Sequence, residues 1–171
     1  RIADDRWTGT IGSNWSIGDN PNGGYLVATA LSAFADLAPD HPDPISVTTH
    51  FLRPGVPATP CEVNATIVRQ GRSLTTGRAT LTQDGKARIE LIAALGDLGE
   101  SDPTGDVTLP PVELPDPDDC PQRSGAEQGI HLPLLERMDV RLHPGQAKAG
   151  AAGEPIVSGY IRFRDDQPVD T

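Results

Sequence analysis

The stretch Asn20-Pro21-Asn22-Gly23-Gly24-Tyr25-Leu26-Val27-Ala28 opens the segment that decides the fold. From Tyr25 to Ala38 only three side chains are polar, at Thr29, Ser32 and Asp36, and they share one stripe at helical spacing. A surface helix has a broad polar face, so a helix that is apolar on almost every side has to be covered by other elements. The sequence therefore predicts that this segment is a single helix, enclosed by the strands that come after it in the chain.

The glycine pair at the start of this helix predicts a binding site for an oxygen atom. The first N–H groups of a helix have no partner within the helix, and the positive end of the helix dipole favours a carbonyl oxygen or an anion. We therefore expect bare amides at Gly23 and Gly24 that are able to hold an acyl carbonyl. In the alternative interpretation, the glycines only allow tight packing or a positive φ.

The residues after the helix have the pattern of an antiparallel sheet. The sequence His41-Pro42-Asp43-Pro44 ends the helix, because proline cannot continue it. Asp84-Gly85 is the strongest hairpin signal in the chain. A helix followed by a mostly antiparallel meander is an α+β layout. Strands are predicted at Trp7–Ile11, Ile45–Leu52, Cys61–Ile67, Ser73–Thr82 and Lys86–Leu95.

Composition excludes several classes of protein. The 171 residues are 36% hydrophobic and 22% charged, which allows a real core. The net charge of −10 argues against nucleic acid as a partner, because that function calls for a basic patch. No apolar run approaches the roughly 20 residues of a membrane span. Cys61 and Cys120 fall in unrelated segments, a poor pair for a disulfide, so a reduced, cytoplasmic protein is expected.

The second half of the chain differs from the first. Residues 98–130 contain eight acidic residues, one basic residue and six prolines, which predicts an acidic, proline-rich linker. Leu134–His143 and Ile156–Arg164 have the pattern of two further strands, too few for a stable unit on their own. We therefore expect a first domain over residues 1–97 and, over 131–171, the first strands of a second domain that stops before its core is complete.

These motifs resemble acyl-CoA thioesterase II-like proteins of the double-hotdog type. The resemblance covers about residues 20–97, and Gly159-Tyr160-Ile161-Arg162-Phe163-Arg164 is similar to the strand before the second repeat's long helix. It rests on Gly23-Gly24, His50-Phe51-Leu52-Arg53-Pro54-Gly55, Arg69-Gln70-Gly71-Arg72-Ser73-Leu74 and Gln83-Asp84-Gly85-Lys86, in the family's order.

The resemblance implies a hotdog fold, in which a long helix is wrapped by a curved antiparallel sheet, and half of a double hotdog in this chain. It implies hydrolysis of a fatty acyl-CoA in lipid metabolism, with the catalytic carboxylate in the second repeat. Asp165, Asp166 and Asp170 lie too early to be carried over as that residue, so no catalytic residue is assigned. Because a single hotdog sheet leaves an unpaired edge and an apolar face, a homo-oligomer formed by sheet pairing is expected.

Six residues are predicted to bind the substrate. At Arg72 and Ser73 the predicted contact is with the phosphates or pantetheine of CoA, although an exposed turn is an equally good interpretation. For His50 the role would be to polarise a carbonyl or act as a base, although a histidine in a strand is more often a packing residue. No cofactor and no metal is predicted, because the four histidines are scattered without ligand spacing. The full set is Asn22, Gly23, Gly24, His50, Arg72 and Ser73.

Two other functions remain open. One is an enoyl-thioester hydratase, whose helix start typically carries an aspartate and a histidine; here Asn22 stands without a histidine. The other is a non-catalytic acyl-CoA-binding or assembly module that keeps the fold without the chemistry.

Overall fold

The computed structural model describes residues 1–99, 112–126, 129–148 and 153–165. The predicted linker and the predicted second domain therefore lie partly outside the described residues, at 100–111, 127–128, 149–152 and 166–171. The described residues fall into two compact units: residues 1–13 and 19–99 belong to the first, and residues 14–18 with those from 112 onwards belong to the second. Each unit is described by itself.

Most of the regular structure lies in the first unit. The helices are α1 (Gly23–Leu31), α2 (Phe34–Leu37) and α3 (Leu134–Arg137), and a 3-10 turn covers Pro117–Asp119. The strands are β1 (Arg6–Ile11), β2 (Ser16–Ile17), β3 (Asn20–Pro21), β4 (Asp43–Phe51), β5 (Thr59–Gln70), β6 (Thr75–Gln83), β7 (Lys86–Gly96), β8 (Met138–Leu142) and β9 (Gly159–Phe163).

The first unit is built on a five-stranded antiparallel sheet in the order β1-β5-β6-β7-β4. All five strands overlap the predicted extended segments, so the α+β layout is confirmed. The hairpin between β6 and β7 has positive φ at Asp84 and Gly85, 52° and 68°, which is the backbone of a type I′ turn and agrees with the sequence signal. The strand β4 forms one end of the sheet.

The helical segment is broken, so the prediction of one continuous helix is wrong in this respect. The break lies at Ser32 and Ala33, between α1 and α2. Its physical cause lies in two hydroxyls that bond to helix carbonyls: Thr29 Oγ1 donates to Tyr25 O at 2.8 Å and Ser32 Oγ donates to Thr29 O at 2.8 Å. Such back-bonding competes with the regular helical ladder and bends helices.

The helices bury one side against the sheet and leave the other open. Leu26, Ala30 and Phe34 are buried, whereas Ala28 and Ala35 on the opposite side are exposed. The expectation of cover on nearly every side is therefore wrong for this unit. The core beneath the helices is made mostly of aliphatic residues of alternating strand positions, namely Ile11, Val63, Ala65, Ala79, Leu81, Ile89, Leu91, Ala93 and Leu95.

The second unit centres on the antiparallel pair β8–β9. The predicted strand at Leu134–His143 begins later than expected, because Leu134–Arg137 forms a helical turn. Residues 121–123 lie along the other side of β8: Arg123 N–H donates to Val140 O at 2.7 Å, and Leu142 N–H donates to Pro121 O at 3.1 Å. This part of the acidic segment is therefore hydrogen-bonded to the sheet.

A buried carboxylate connects these elements of the second unit. Asp139 Oδ2 lies 3.2 Å from Arg141 Nε and 3.3 Å from Arg162 Nη2, and Gln122 Nε2 donates to Asp139 Oδ1 at 2.9 Å. Burial raises the pKa of Asp139, but the hydrogen bonds and charges of these neighbours, with Arg141 foremost, hold the pKa below its usual value. Both cysteines are free and buried, Cys61 in the first unit and Cys120 in the second.

We predict that Gly77→Ala destabilises the first unit by about 1–3 kcal/mol, the usual cost of overpacking a core. A Cβ at Gly77 would lie 2.2 Å from Cε1 of Phe34, a ring that is itself buried. The matched control is Gly9→Ala, where the nearest heavy atom to the new Cβ is Cys61 Sγ at 3.8 Å. Urea unfolding measures both; equal midpoints for the two variants would contradict the packing argument.

We predict that the second unit loses stability on acidification through Asp139. Because the pKa of Asp139 is lower in the folded state, its contribution is complete above the unfolded value of about 4 and is lost as the pH falls through the folded value. In a Trp7→Phe variant, Trp15 fluorescence follows the second unit during urea unfolding. Between pH 7 and pH 3 the midpoint should fall less in Asp139→Asn than in Asp118→Asn, whose carboxylate is exposed; identical acid slopes would exclude this role.

Candidate functional site

The start of α1 is capped by a side chain. Asn22 has the extended backbone of an N-cap residue, and its Oδ1 accepts hydrogen bonds from the N–H of Gly24 at 2.8 Å and of Tyr25 at 3.3 Å. The expectation of bare amides is therefore wrong for Gly24, whose N–H is occupied by this cap. The assignment of Asn22, Gly23 and Gly24 to substrate binding stays a prediction.

The cap leaves two other donors at the helix start. Because both amides require an oxygen acceptor, they fix Oδ1 of Asn22 towards the helix and leave its Nδ2 as the free end of the amide. Within the described part of the chain, neither Asn22 Nδ2 nor the Gly23 N–H has a hydrogen-bond acceptor. Two N–H donors without a described acceptor thus belong to neighbouring residues at the positive end of the helix, which favours a carbonyl oxygen.

An aromatic ring lies directly against Gly23. A Cβ placed on Gly23 would meet Phe51 Cε1 at 2.9 Å and Cζ at 3.0 Å. Phe51 pairs with the buried Ile89 across the sheet, so both side chains are on the helix side, yet Phe51 is 59% exposed. Phe51 carries no predicted role of its own. It stands two residues after Thr49, which pairs with the buried Leu91, and alternate residues of a strand lie on the same face.

The segment after Phe51 is held in place by Arg88. The Nη1 of Arg88 donates to Pro54 O at 3.0 Å, and its backbone O accepts from the N–H of Leu52 at 2.8 Å. Arg88 is buried. The register of β6 and β7 shifts between Leu81 and Thr82, where β7 carries Arg88 as the extra residue. The bulge explains why alternation alone gave no sign of its burial.

The other predicted site residues lie elsewhere in the unit. His50 precedes Phe51 on β4 and is exposed, and because successive strand residues point to opposite faces it lies on the side of the sheet away from the helix. Its partner in the register is Glu90, also exposed, an acidic neighbour that the linear sequence does not reveal. The structure therefore does not bring His50 to the donors at Gly23.

Arg72 and Ser73 are exposed in the turn between β5 and β6, beyond the far end of the helices. That end is marked by His41, whose Nδ1 lies 2.8 Å from Thr75 Oγ1 and whose Nε2 lies 3.3 Å from Arg72 O. At 1.5 Å per residue, α1 and α2 separate this turn from Gly23 by roughly 20 Å. Apart from His50, the predicted substrate-binding residues thus form two groups at opposite ends of one unit.

Metal ligands and membrane-spanning helices are both absent from the described residues. These residues contain no group of three or more histidine, cysteine or acidic side chains arranged to hold a metal ion. Nor does any helix among them have the length and apolar character needed to cross a membrane.

Comparison with known families identifies the first half of the chain. The model of the acyl-CoA thioesterase N-terminal domain matches residues 11–99, more than half of the 171 residues and all of α1, β4 and the hairpins. The chain belongs to this thioesterase family. No protein in a search of curated proteins matches it.

Solved structures share the fold of this thioesterase-family chain. A candidate thioesterase II from Thermobifida fusca YX is 24% identical over 96% of the chain and 60% of that protein, with a TM-score of 0.80. A conserved protein with a hot dog fold from Alicyclobacillus acidocaldarius is 24% identical over 100% and 62%, with a TM-score of 0.74. An acyl-CoA thioesterase II from Mycobacterium marinum is 23% identical over 99% and 59%, with a TM-score of 0.69.

These likenesses confirm the hotdog fold and the predicted resemblance to thioesterase II-like proteins. The chain spans about 60% of the length of the structures that it matches.

We predict that Asn22→Ala lowers the free energy of unfolding by about 1 kcal/mol, the usual cost of losing an N-cap. Asn22→Asp should retain the stability of the parent protein, because an aspartate oxygen accepts the same two amide hydrogen bonds next to the positive helix end. Thermal or urea unfolding of the two variants measures the difference. An equal loss in both variants would show that the cap does not stabilise the helix.

Proposed function

We propose that the intact protein hydrolyses fatty acyl-CoA thioesters to free fatty acids and CoA in lipid metabolism. The family match over residues 11–99 carries this proposal, because the matched region includes the donors at the start of α1. In this proposal the thioester carbonyl oxygen accepts hydrogen bonds from Asn22 Nδ2 and the Gly23 N–H. Gly24 contributes by holding the Asn22 side chain in the required orientation through its own N–H.

The proposed reaction needs one further group, a base. A carboxylate in the second repeat, as the resemblance implies, takes a proton from water while the water oxygen attacks the carbonyl carbon. The oxyanion that forms is stabilised by the two donors, the carbon–sulphur bond then breaks, and the CoA thiolate leaves and is protonated. None of the hydrogen bonds of Asn22 and Gly24 within the described residues involves a carboxylate or an imidazole.

We also propose that a complete site requires paired hotdog units. The strand β4 is an end strand of its sheet, and its exposed apolar residues include Ile45, at 47%, and Phe51. Pairing of two such edges about a twofold axis turns the two helices antiparallel. The Gly23 end of one unit then faces the Arg72 and Ser73 end of the other, which would unite the two groups of predicted residues.

The partner in this pairing is a second repeat or a second copy, and a homo-oligomer is the proposed assembly. Residues 1–97 are proposed as the first repeat, 98–130 as the linker and 131–171 as the start of the second repeat. A cytoplasmic location is proposed on the basis of the two free cysteines.

A non-catalytic acyl-CoA-binding module is the second candidate. The observation in its favour is that no described hydrogen bond at the helix start, at Asn22 or Gly24, involves a carboxylate or an imidazole that could act as a base. Acyl-CoA binding without CoA release by the intact protein distinguishes this function from hydrolysis.

The test measures CoA release by the intact protein from acyl-CoAs of medium and long chain length. Asn22→Asp keeps the cap but replaces the Nδ2 donor with a carboxylate oxygen, so kcat/KM should fall by about a hundredfold or more. Arg78→Gln, an exposed change on the face of the sheet away from the helix, should leave kcat/KM unchanged. Absence of CoA release at every chain length, or full activity of Asn22→Asp, would refute the proposal.

A further inference from the structure

The ring of Phe51 lies against Gly23, the residue that carries one of the two donors. The three nearest atoms that a Cβ on Gly23 would meet are all atoms of this ring, at 2.9, 3.0 and 3.7 Å. Phe51 is nevertheless 59% exposed, and β4 has no described strand on its outer side. The ring therefore contacts the helix start while more than half of the residue stays accessible.

Bond lengths keep the first carbons of an acyl group bound to the Gly23 N–H within reach of this ring. A carbonyl oxygen lies about 3 Å from the nitrogen that donates to it, and the carbonyl carbon is only about 1.2 Å further. The carbonyl carbon of a thioester bound to the Gly23 N–H is therefore roughly 4 Å from that nitrogen. Because the ring contacts the same residue, the substrate atoms within its reach are the substituents of that carbon and not the distant end of a long chain.

The chemistry of the ring favours the acyl side of the thioester over the thiol side. A phenyl ring offers dispersion and apolar area, which stabilise a hydrocarbon at about 25 cal/mol per Å². On the thiol side only the sulphur and two methylene groups precede the first amide of pantetheine, whose burial against a phenyl ring without hydrogen-bond partners would be unfavourable, whereas the acyl side continues as hydrocarbon. The apolar acyl carbons are therefore the better occupant.

We propose that Phe51 is a specificity-determining residue: its ring limits branching at the second and third carbons of the acyl group. This inference rests on the proposed function, because it uses the same bound carbonyl. Phe51 selects substrates by the shape of the acyl group near the reacting carbon, and other parts of the site select the length of the acyl tail.

The test compares straight-chain and 2-methyl-branched acyl-CoAs of equal carbon number with the intact protein. Phe51→Ala should raise kcat/KM for the branched substrates relative to the straight ones by about tenfold, the usual effect of admitting one methyl group. Phe51→Trp should shift the ratio in the opposite direction. The preference for tail length should stay unchanged in both variants.

The matched control is Ile92→Ala, since Ile92 is 53% exposed on β7 but lies on the opposite face of the sheet from Ile89. This control should leave the branched-to-straight ratio at its original value. Far-ultraviolet circular dichroism and unfolding midpoints confirm that all three variants are folded. A ratio that is the same in Phe51→Ala and in the parent protein would overturn the inference.

A second measurement separates this inference from the proposed function. Binding of amide analogues, in which N–H replaces the thioester sulphur of the same branched and straight acyl-CoAs, is measured by calorimetry and requires no turnover. The protein could release no CoA while its Phe51→Ala variant still gains affinity for the branched analogue. This result would support the specificity role of Phe51 and refute hydrolysis. Further amide analogues carry the same acyl group on a modified thiol portion. If Phe51→Ala changed the affinity only for these analogues, the assignment of Phe51 to the acyl side would be overturned.

Discussion

Close contact between Phe34 and the backbone of Gly77 is the constraint on which the rest of the first unit depends. No side chain separates the ring from the middle strand, because a Cβ at Gly77 would overlap it. The inner face of the sheet continues this pattern with the small residues Ala65, Ala79 and Ala93. Small residues allow a helix and a sheet to approach closely, so the helices lie deep against the strands and their start comes next to the end of β4.

At the helix start one side chain stabilises the helix and carries the proposed binding group. Asn22 satisfies two amides with its oxygen, and the same two bonds leave its nitrogen without a described acceptor. A serine or threonine would cap the helix equally well but would present no such amide nitrogen. The proposed donors therefore result from the way the helix begins.

The elements of the first unit could be predicted from the sequence because its local signals agree with one another. Alternation along β5, the proline cluster after the helix and the Asp84-Gly85 turn all indicate the observed layout. The break at Ser32 could not be predicted in the same way, since it depends on which carbonyl each hydroxyl bonds. The cap at Asn22 has a local signature, but the sequence cannot show that its oxygen occupies the amide of Gly24.

The features that depend on strand register could not be predicted from the sequence either. The burial of Arg88 comes from a bulge, and the contact between Phe51 and Gly23 joins two separate elements.

Each of the two units contains one cysteine, so the reactivity of the two thiols can be measured for each unit separately. Cys61 and Cys120 are both buried, and each belongs to a different unit. Burial raises the pKa of Cys61, so its sulphur is protonated and shielded until the sheet around it opens. Alkylation of each cysteine, followed by mass spectrometry of the peptides, would therefore report the opening of each half of the chain independently.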